Sequence, residues 1–155
     1  MRCWAGIDPG ANGGIAVATA TGEYFAWRMP ENDEDIAKLI RAIAGDYAPE
    51  LWAIEHVHAM PGNGVVSTFK FGRAFGFLLG VVHAFELPFI LVSPQRWQAA
   101  LGISSRGDKR VTKAAAAQLK TDGPVTHATS EAILIAEYCR RAAQERDASC
   151  DLTRL

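Results

Sequence analysis

The sequence predicts an α/β fold: a mixed five-stranded sheet, with three antiparallel strands followed by parallel ones, flanked by helices. Three observations predict it. Three apolar, strand-like segments follow one another within residues 2–29, separated only by turn signals. A continuous apolar run over 51–57 reads as a strand buried on both faces. Beyond residue 32, segments with helical spacing alternate with short strands, the order that lays helices across a sheet.

Arg2 to Asp8 is the first strand, and Gly10 to Gly14 turns the chain. Ile15 to Ala20 and Glu23 to Met29 are the next two, joined at Thr21-Gly22 and ended by Pro30. Asp33 to Ala44 is a helix, with Ile36, Leu39, Ile40 and Ile43 on one stripe. Leu51 to Val57 is the central strand, Met60 to Gly64 a loop and Ser67 to Phe85 a long helix. Pro88 to Val92 is the fifth strand. Helices follow at 94–101, 109–119 and 127–146, with a flexible tail over 147–155. One domain over 1–146 accounts for the chain, and its element order fits the ribonuclease H-like architecture.

A chain of 155 residues buries roughly 70% of the surface it exposes when unfolded, enough for a real core. Cys3, Cys139 and Cys150 lack metal-type spacing and are expected as reduced thiols in a cytoplasmic protein. No signal peptide is expected ahead of the first strand. Lys70, Arg73, His83 and Glu86 interrupt the apolar stretch from Phe69 to Leu87, which argues against a membrane span. The net charge of −1 gives no overall basic field. Residues 1–55 carry −5, residues 56–120 carry +6 and residues 121–155 carry −2. A basic middle between acidic ends favours polyanions, although an ordinary solvated face gives the same pattern.

Three acids stand where apolar residues are expected. Asp8 ends the first strand, Glu55 ends the run Leu-Trp-Ala-Ile-Glu, and Glu131 lies on the apolar side of the last helix with Leu134, Ile135 and Tyr138. A lone buried carboxylate is costly, and three that converge invite a hard divalent cation. Pro9 holds Asp8 in extended geometry. Strand alternation sets Asp8 with Trp4 and Gly6, and Glu55 with Ala53 and Val57. His127, four residues before Glu131, is expected on the same helical face. Oxygen-rich ligation favours Mg2+ or Mn2+, and such a set suits phosphodiester hydrolysis with two cations about 3.5–4 Å apart. Each acid alone also has a plain reading: an Asp-Pro-Gly turn, a solvent-facing strand end, and an acid in the first turns of a helix. For His56 and His58 a structural role is expected.

These residues resemble the RuvC family of Holliday-junction resolvases, in particular its compact phage or prophage-type members. The resemblance rests on Gly6-Ile7-Asp8-Pro9-Gly10, Ile54-Glu55-His56-Val57, Gly72-Arg73-Ala74-Phe75-Gly76, Ser93-Pro94-Gln95-Arg96-Trp97 and Glu131-Ala132-Ile133-Leu134-Ile135-Ala136. It spans residues 5 to about 142. It implies a homodimeric, Mg2+-dependent endonuclease that nicks two strands of a four-way DNA junction and leaves 5′-phosphate and 3′-hydroxyl ends. Asp8, Glu55 and Glu131 would hold the metal. The family commonly carries a second acid three residues before its closing one. Here that position is Ala128, and His127 is the available substitute.

Arg106, Lys109, Arg110 and Lys113, with Lys70 and Arg73, are the expected phosphate contacts. Phe69 is expected in the core, with the alternative that it meets unstacked DNA at the branch point. Gly72, Gly76 and Gly80 recur every four residues along the long helix. Glycine is costly there, so another backbone is expected to approach: these glycines are expected at the dimer interface, with the chain's own sheet as the alternative. Two other functions fit parts of the sequence. The Asp8 to Gly14 hairpin resembles the first phosphate loop of actin-like and sugar-kinase-like ATPases, although no second such loop is visible. A non-catalytic junction-binding protein would also fit the missing acid at 128.

Overall fold

Two tight turns set the N-terminal half. β1 (Cys3–Asp8), β2 (Gly14–Thr19) and β3 (Glu23–Arg28) pair antiparallel in sequence. The Gly13 amide closes the first turn on the Gly10 carbonyl at 2.8 Å, and the Gly22 amide closes the second on Thr19 at 3.0 Å. α1 (Asp33–Asp46) then crosses one face. The Asn32 side chain caps it, accepting from the Asp35 amide at 2.9 Å, and acids fill its first turn beside the positive end of the helix dipole. β4 (Leu51–Glu55) returns parallel to β1, and β5 (Phe89–Val92) parallel to β4. Between them runs α2 (Val65–Ala84). α3 (Pro94–Ala100), α4 (Lys109–Ala116) and α5 (Ser130–Leu152) complete the chain.

The structure, a computed structural model, describes residues 1–56 and 64–152, with side chains described through residue 147. Val57, His58, Cys150 and the loop expected from Met60 lie wholly or partly outside the described residues. Cys3 and Cys139 are free, buried thiols.

The sheet has six strands rather than five, in the order β5-β4-β1-β2-β3-β6. The sixth, β6 (Lys120–Thr121), pairs parallel with β3. Two residues carry no periodicity, so nothing in the sequence marks such a strand. It is held by the Asp122 amide on the Tyr24 carbonyl at 2.8 Å and by Lys120 on Glu23 at 2.6 Å. α4 accordingly ends at Ala116, short of the expected Leu119.

The sheet is buried on both sides. Ala5, Ile7, Ile15, Val17, Trp52 and Ile54 face α1 and the C-terminal part of α2. Trp4, Ala16, Ala18, Tyr24 and Ala53 face α5, with Trp97 of α3 beside them. α5 lies so close to β1 that a Cβ on Gly6 would stand 2.2 Å from the Ala136 nitrogen and 2.5 Å from the Ala132 oxygen. Only glycine at the middle of β1 admits this contact.

α5 begins at Ser130, not at His127. Thr126 and Thr129 exchange side-chain to backbone hydrogen bonds at 3.1 and 3.2 Å, a reciprocal cap. His127 therefore sits in the turn before the helix. At its other end the helix continues past Arg146 to Leu152.

α2 departs from the expected core helix. By length and composition it is apolar enough to cross a membrane, and only 17% of that stretch is buried. Leu78, Val81 and Val82 pack in the core. Its first turns do not: Val65, Val66 and Phe69 are 86, 67 and 72% exposed, which overturns the core role expected for Phe69. A Cβ on Gly72, Gly76 or Gly80 would meet nothing within 4 Å, so the chain's own sheet is not what these glycines approach.

The Gly6 contact makes a sharp test. Gly6→Val should destabilise the protein by about 3 kcal/mol or more, beyond ordinary overpacking because the obstruction is backbone. Gly72→Ala should stabilise the isolated chain by roughly 0.5–1 kcal/mol. Urea unfolding of both variants checks the pair, and equal effects would contradict the packing described.

Candidate metal centre

Each acid reaches the site from a different element. Asp8 is the last residue of β1, and Glu55 the last of β4. The two strands are adjacent and parallel, with Ile7 opposite Ile54, so their carboxyl ends deliver both side chains to one edge. Alternation turns both acids to the α5 face, where Glu131 occupies the first helical turn. One oxygen from each of Asp8, Glu55 and Glu131 lies within 4.8 Å of the others. Asp8 and Glu55 are 6 and 7% exposed.

The surroundings fix these groups. Asp8 Oδ1 accepts from the Gly10 amide at 3.2 Å, closing a short turn that Pro9 begins. A Cβ on Gly13 would stand 2.3 Å from the Asp8 carbonyl oxygen and 2.7 Å from its Cγ, so the returning loop wraps the carboxylate only because residue 13 is glycine. The indole Nε1 of buried Trp97 donates to Glu55 Oε1 at 3.1 Å. Lys109 Nζ reaches Glu131 Oε2 at 3.4 Å. Ser93 and Pro94 place Trp97 by capping α3, and Asp108 places Lys109 by capping α4.

The electrostatics set these acids apart from another buried acid on α5. Glu137 is 2% exposed and accepts from Tyr24, Arg140 and Arg141. Burial pushes its carboxyl up, but the bonds from Arg140, Tyr24 and Arg141 outweigh that and hold it below the usual range. Asp8 and Glu55 have no arginine partner, and the amide and indole bonds they accept do not offset their burial. Burial, then the Glu131 charge, pushes Asp8 up to about 6, against the Gly10 amide and Lys109. Burial, with the charges of Asp8 and Glu131, pushes Glu55 up to about 7 despite the Trp97 bond. Among the described residues the cation in contact with the cluster is Lys109, which is half exposed. A pocket of oxygen donors that resists its own negative charge fits a hard divalent cation.

His127 does not join the gathered oxygens. It is exposed in the turn before α5, and with Asn12, Arg28, Lys109, Thr126 and Ala128 it lines a cavity of about 430 Å3. Ala128, three residues before Glu131, has no side-chain ligand to offer. His56 stacks on Phe75, with centroids 6.1 Å apart, in line with the structural role expected. Arg73 pairs with Asp33, and Arg110 with Asp108 at 2.9 Å. Among the described residues Lys70, Arg106 and Lys113 form no ion pair. Sequence reasoning does not find Trp97 as a partner of Glu55. Its only sequence signal is its place four residues after Ser93 in a capped turn.

The same fold occurs in known structures. A Thermus thermophilus RuvC structure superposes with a TM-score of 0.64, covering 92% of this chain and 96% of that one at 20% identity. The fold is that of RuvC. T. thermophilus RuvC in complex with a Holliday junction substrate matches with a TM-score of 0.63, 93% and 96% coverage, and 19% identity. The yeast mitochondrial Holliday junction resolvase Ydc2 matches at 0.54, over 89% of this chain and 77% of that chain, at 16% identity. No protein-family model and no curated protein matches the sequence. In this RuvC fold the acids stand at the carboxyl ends of two neighbouring central strands, where the adjoining helix closes over them.

The raised acids make stability depend on pH. Asp8 and Glu55 hold protons in the folded protein up to about 6 and 7, whereas the unfolded chain releases them near 4. The folded state therefore binds more protons between those values, and metal-free stability falls as pH rises from about 4 to about 7. Asp8→Asn with Glu55→Gln should remove this fall, worth roughly a few kcal/mol. Denaturant midpoints across pH in a chelator measure it; parallel curves for wild type and variant would contradict the raised values.

Proposed function

We propose that this protein is a divalent-metal-dependent endonuclease that resolves four-way DNA junctions by paired phosphodiester hydrolysis. The observation that carries the proposal is the oxygen cluster of Asp8, Glu55 and Glu131, in which the first two are buried and the third half-buried. The RuvC fold supports it, since two proteins that share the fold are a RuvC in complex with a Holliday junction substrate and a Holliday junction resolvase.

Asp8, Glu55 and Glu131 are assigned as the residues that hold Mg2+, with Mn2+ as a substitute. Bound there, the cation supplies Lewis acidity to the scissile phosphate and to the attacking water. The chain contributes position and charge. The Gly10 amide and the Trp97 indole each hold one carboxylate in a fixed direction. The carboxylates cancel the charge of the cation. Lys109, tethered to Glu131, presents a positive charge at the rim. Hydrolysis leaves 5′-phosphate and 3′-hydroxyl ends.

Lys70, Arg106 and Lys113 are assigned to phosphate contacts, with Lys109 nearest the cluster. Arg73 and Arg110 join them when DNA competes with Asp33 and Asp108. Phe69, exposed at the start of α2, is placed to stack on unpaired bases. Two nicks call for two sites, and a homodimer supplies them. Val65, Phe69, Gly72, Gly76 and Gly80 share one uncovered face of α2, which a second copy can approach closely.

A labelled synthetic four-way junction incubated with Mg2+ or Mn2+ tests the proposal. Paired nicks are expected with the wild type. Asp8→Asn, Glu55→Gln and Glu131→Gln should each lower the cutting rate at least a hundredfold while junction binding persists. The second reading, a non-catalytic junction binder, is favoured by Ala128 at the fourth acid position; tight binding without any cutting would establish it instead.

A further inference from the structure

Beside the carboxylates lies the cavity of about 430 Å3 formed by Asn12, Arg28, Lys109, Thr126, His127 and Ala128. Its chemistry is opposite to that of the cluster. No carboxylate lines it, whereas Arg28 and Lys109 supply two positive charges. The Asn12 amide, the Thr126 hydroxyl and the His127 imidazole supply further hydrogen-bond donors. Arg28 is exposed at the end of β3, and its side chain has no hydrogen-bond or ion-pair partner among the described residues. An arginine without a carboxylate, at the wall of a cavity rich in donors, is arranged for an anion.

The cavity and the metal centre share a wall. Lys109 lines the cavity and also contacts Glu131 at 3.4 Å. The hairpin loop that wraps Asp8 carries Asn12, one residue from Gly13. The Ala128 carbonyl stands 3.0 Å from where a Cβ on Gly14 would lie, so the turn before α5 is seated on the start of β2. The cavity is thus held by the same β1–β2 loop and α5 turn that position Asp8 and Glu131. A strand threaded past the metal centre carries a phosphate at every nucleotide, so further phosphates flank the scissile one on either side.

Resting on the nuclease reading above, we propose that this cavity seats a DNA backbone phosphate neighbouring the scissile one, clamped by Arg28 and Lys109 with a hydrogen bond from His127. Arg28 then fixes which phosphate stands over the carboxylates. His127 serves the substrate and not the cation, which accounts for its exposure and its separation from the gathered oxygens. Arg28 is a positioning residue: it touches the backbone, not the reacting atoms.

The test uses the full chain. In an Asp8→Asn background, Arg28→Ala should weaken junction binding about tenfold and lower the slope of log affinity against log salt by about 0.9, the signature of one lost phosphate contact. In the otherwise native protein, Arg28→Ala should slow cutting and spread the cut position over adjacent phosphates. Arg28→Lys should restore binding more than register, because lysine lacks the planar fork. A junction with a neutral methylphosphonate at one of the two phosphates flanking the cut should slow the wild type tenfold and leave Arg28→Ala no slower. His127→Ala should leave Mn2+ affinity, measured by calorimetry, unchanged. An unchanged salt slope and cut position in Arg28→Ala, in a protein that cuts junctions normally, would overturn the clamp alone. Weakened Mn2+ binding by His127→Ala would return His127 to the metal. Competition by millimolar inorganic phosphate as effective as by DNA would make the cavity a free-phosphate site. A wild type that neither binds nor cuts junctions would remove both the clamp and the nuclease reading.

Discussion

The backbone of α5 rests directly on β1 at Gly6, and that contact decides where Glu131 lies. A helix held off the sheet by a side chain at residue 6 would carry its first-turn acid away from the acids at the strand ends. Here the Ala132 and Ala136 backbone occupies the space that a side chain at residue 6 would need. The small residues Ala16, Ala18 and Ala53 clear the same face on the neighbouring strands. The close approach is what converts three acids distant in sequence into one cluster, and it does so at the cost of burying uncompensated charge. Glu137, on the same helix, shows what a buried acid looks like when the fold neutralises it: two arginines and a tyrosine take up its oxygens. Their absence around Asp8 and Glu55 leaves a place for a cation.

Much of this is legible in the sequence because it depends on local rules. Pro9 and Gly10 mark the end of a strand, so the neighbours of Asp8 are enough to place it there. Leu51 to Ile54 reads as a doubly buried strand, so Glu55 has to stand at its end. Both inferences use alternation and turn chemistry, which act over a few residues. What escapes them depends on longer reach. Trp97 meets Glu55 only through the crossover from β5 into α3, and an indole in a short amphipathic helix is indistinguishable from core. β6 is two residues long and exists because β3 needs a partner at its outer edge. The spacing of His127 from Glu131 suggests a place in the helix. The reciprocal cap of Thr126 and Thr129 moves the helix start beyond it, and a four-residue spacing means a shared face only inside a helix.

The surface charge reads differently once partners are known. The basic middle of the chain is partly consumed by neighbours, with Arg73 on Asp33 and Arg110 on Asp108. Such exposed pairs are worth little. Lys109 is the positive charge in contact with the carboxylates, and Arg28 lines the adjoining cavity with it. Arg28 comes from the acidic N-terminal third, so a count along the sequence could not reveal it. α2 shows the complementary point. Its apolar spacing is that of a core helix, but the sheet covers only its C-terminal half. The glycines that break its propensity face outward, where an added Cβ would meet nothing within 4 Å.

The proposed chemistry turns on a cation held by Asp8, Glu55 and Glu131. Crystals of the protein grown with Mn2+ and measured near the manganese absorption edge locate that ion without reference to activity. An anomalous peak is expected about 2.1 Å from an oxygen of each of the three acids, lost in crystals of Glu131→Gln. Fully ordered carboxylates with no peak among them, or a peak bound to His127 alone, would contradict it.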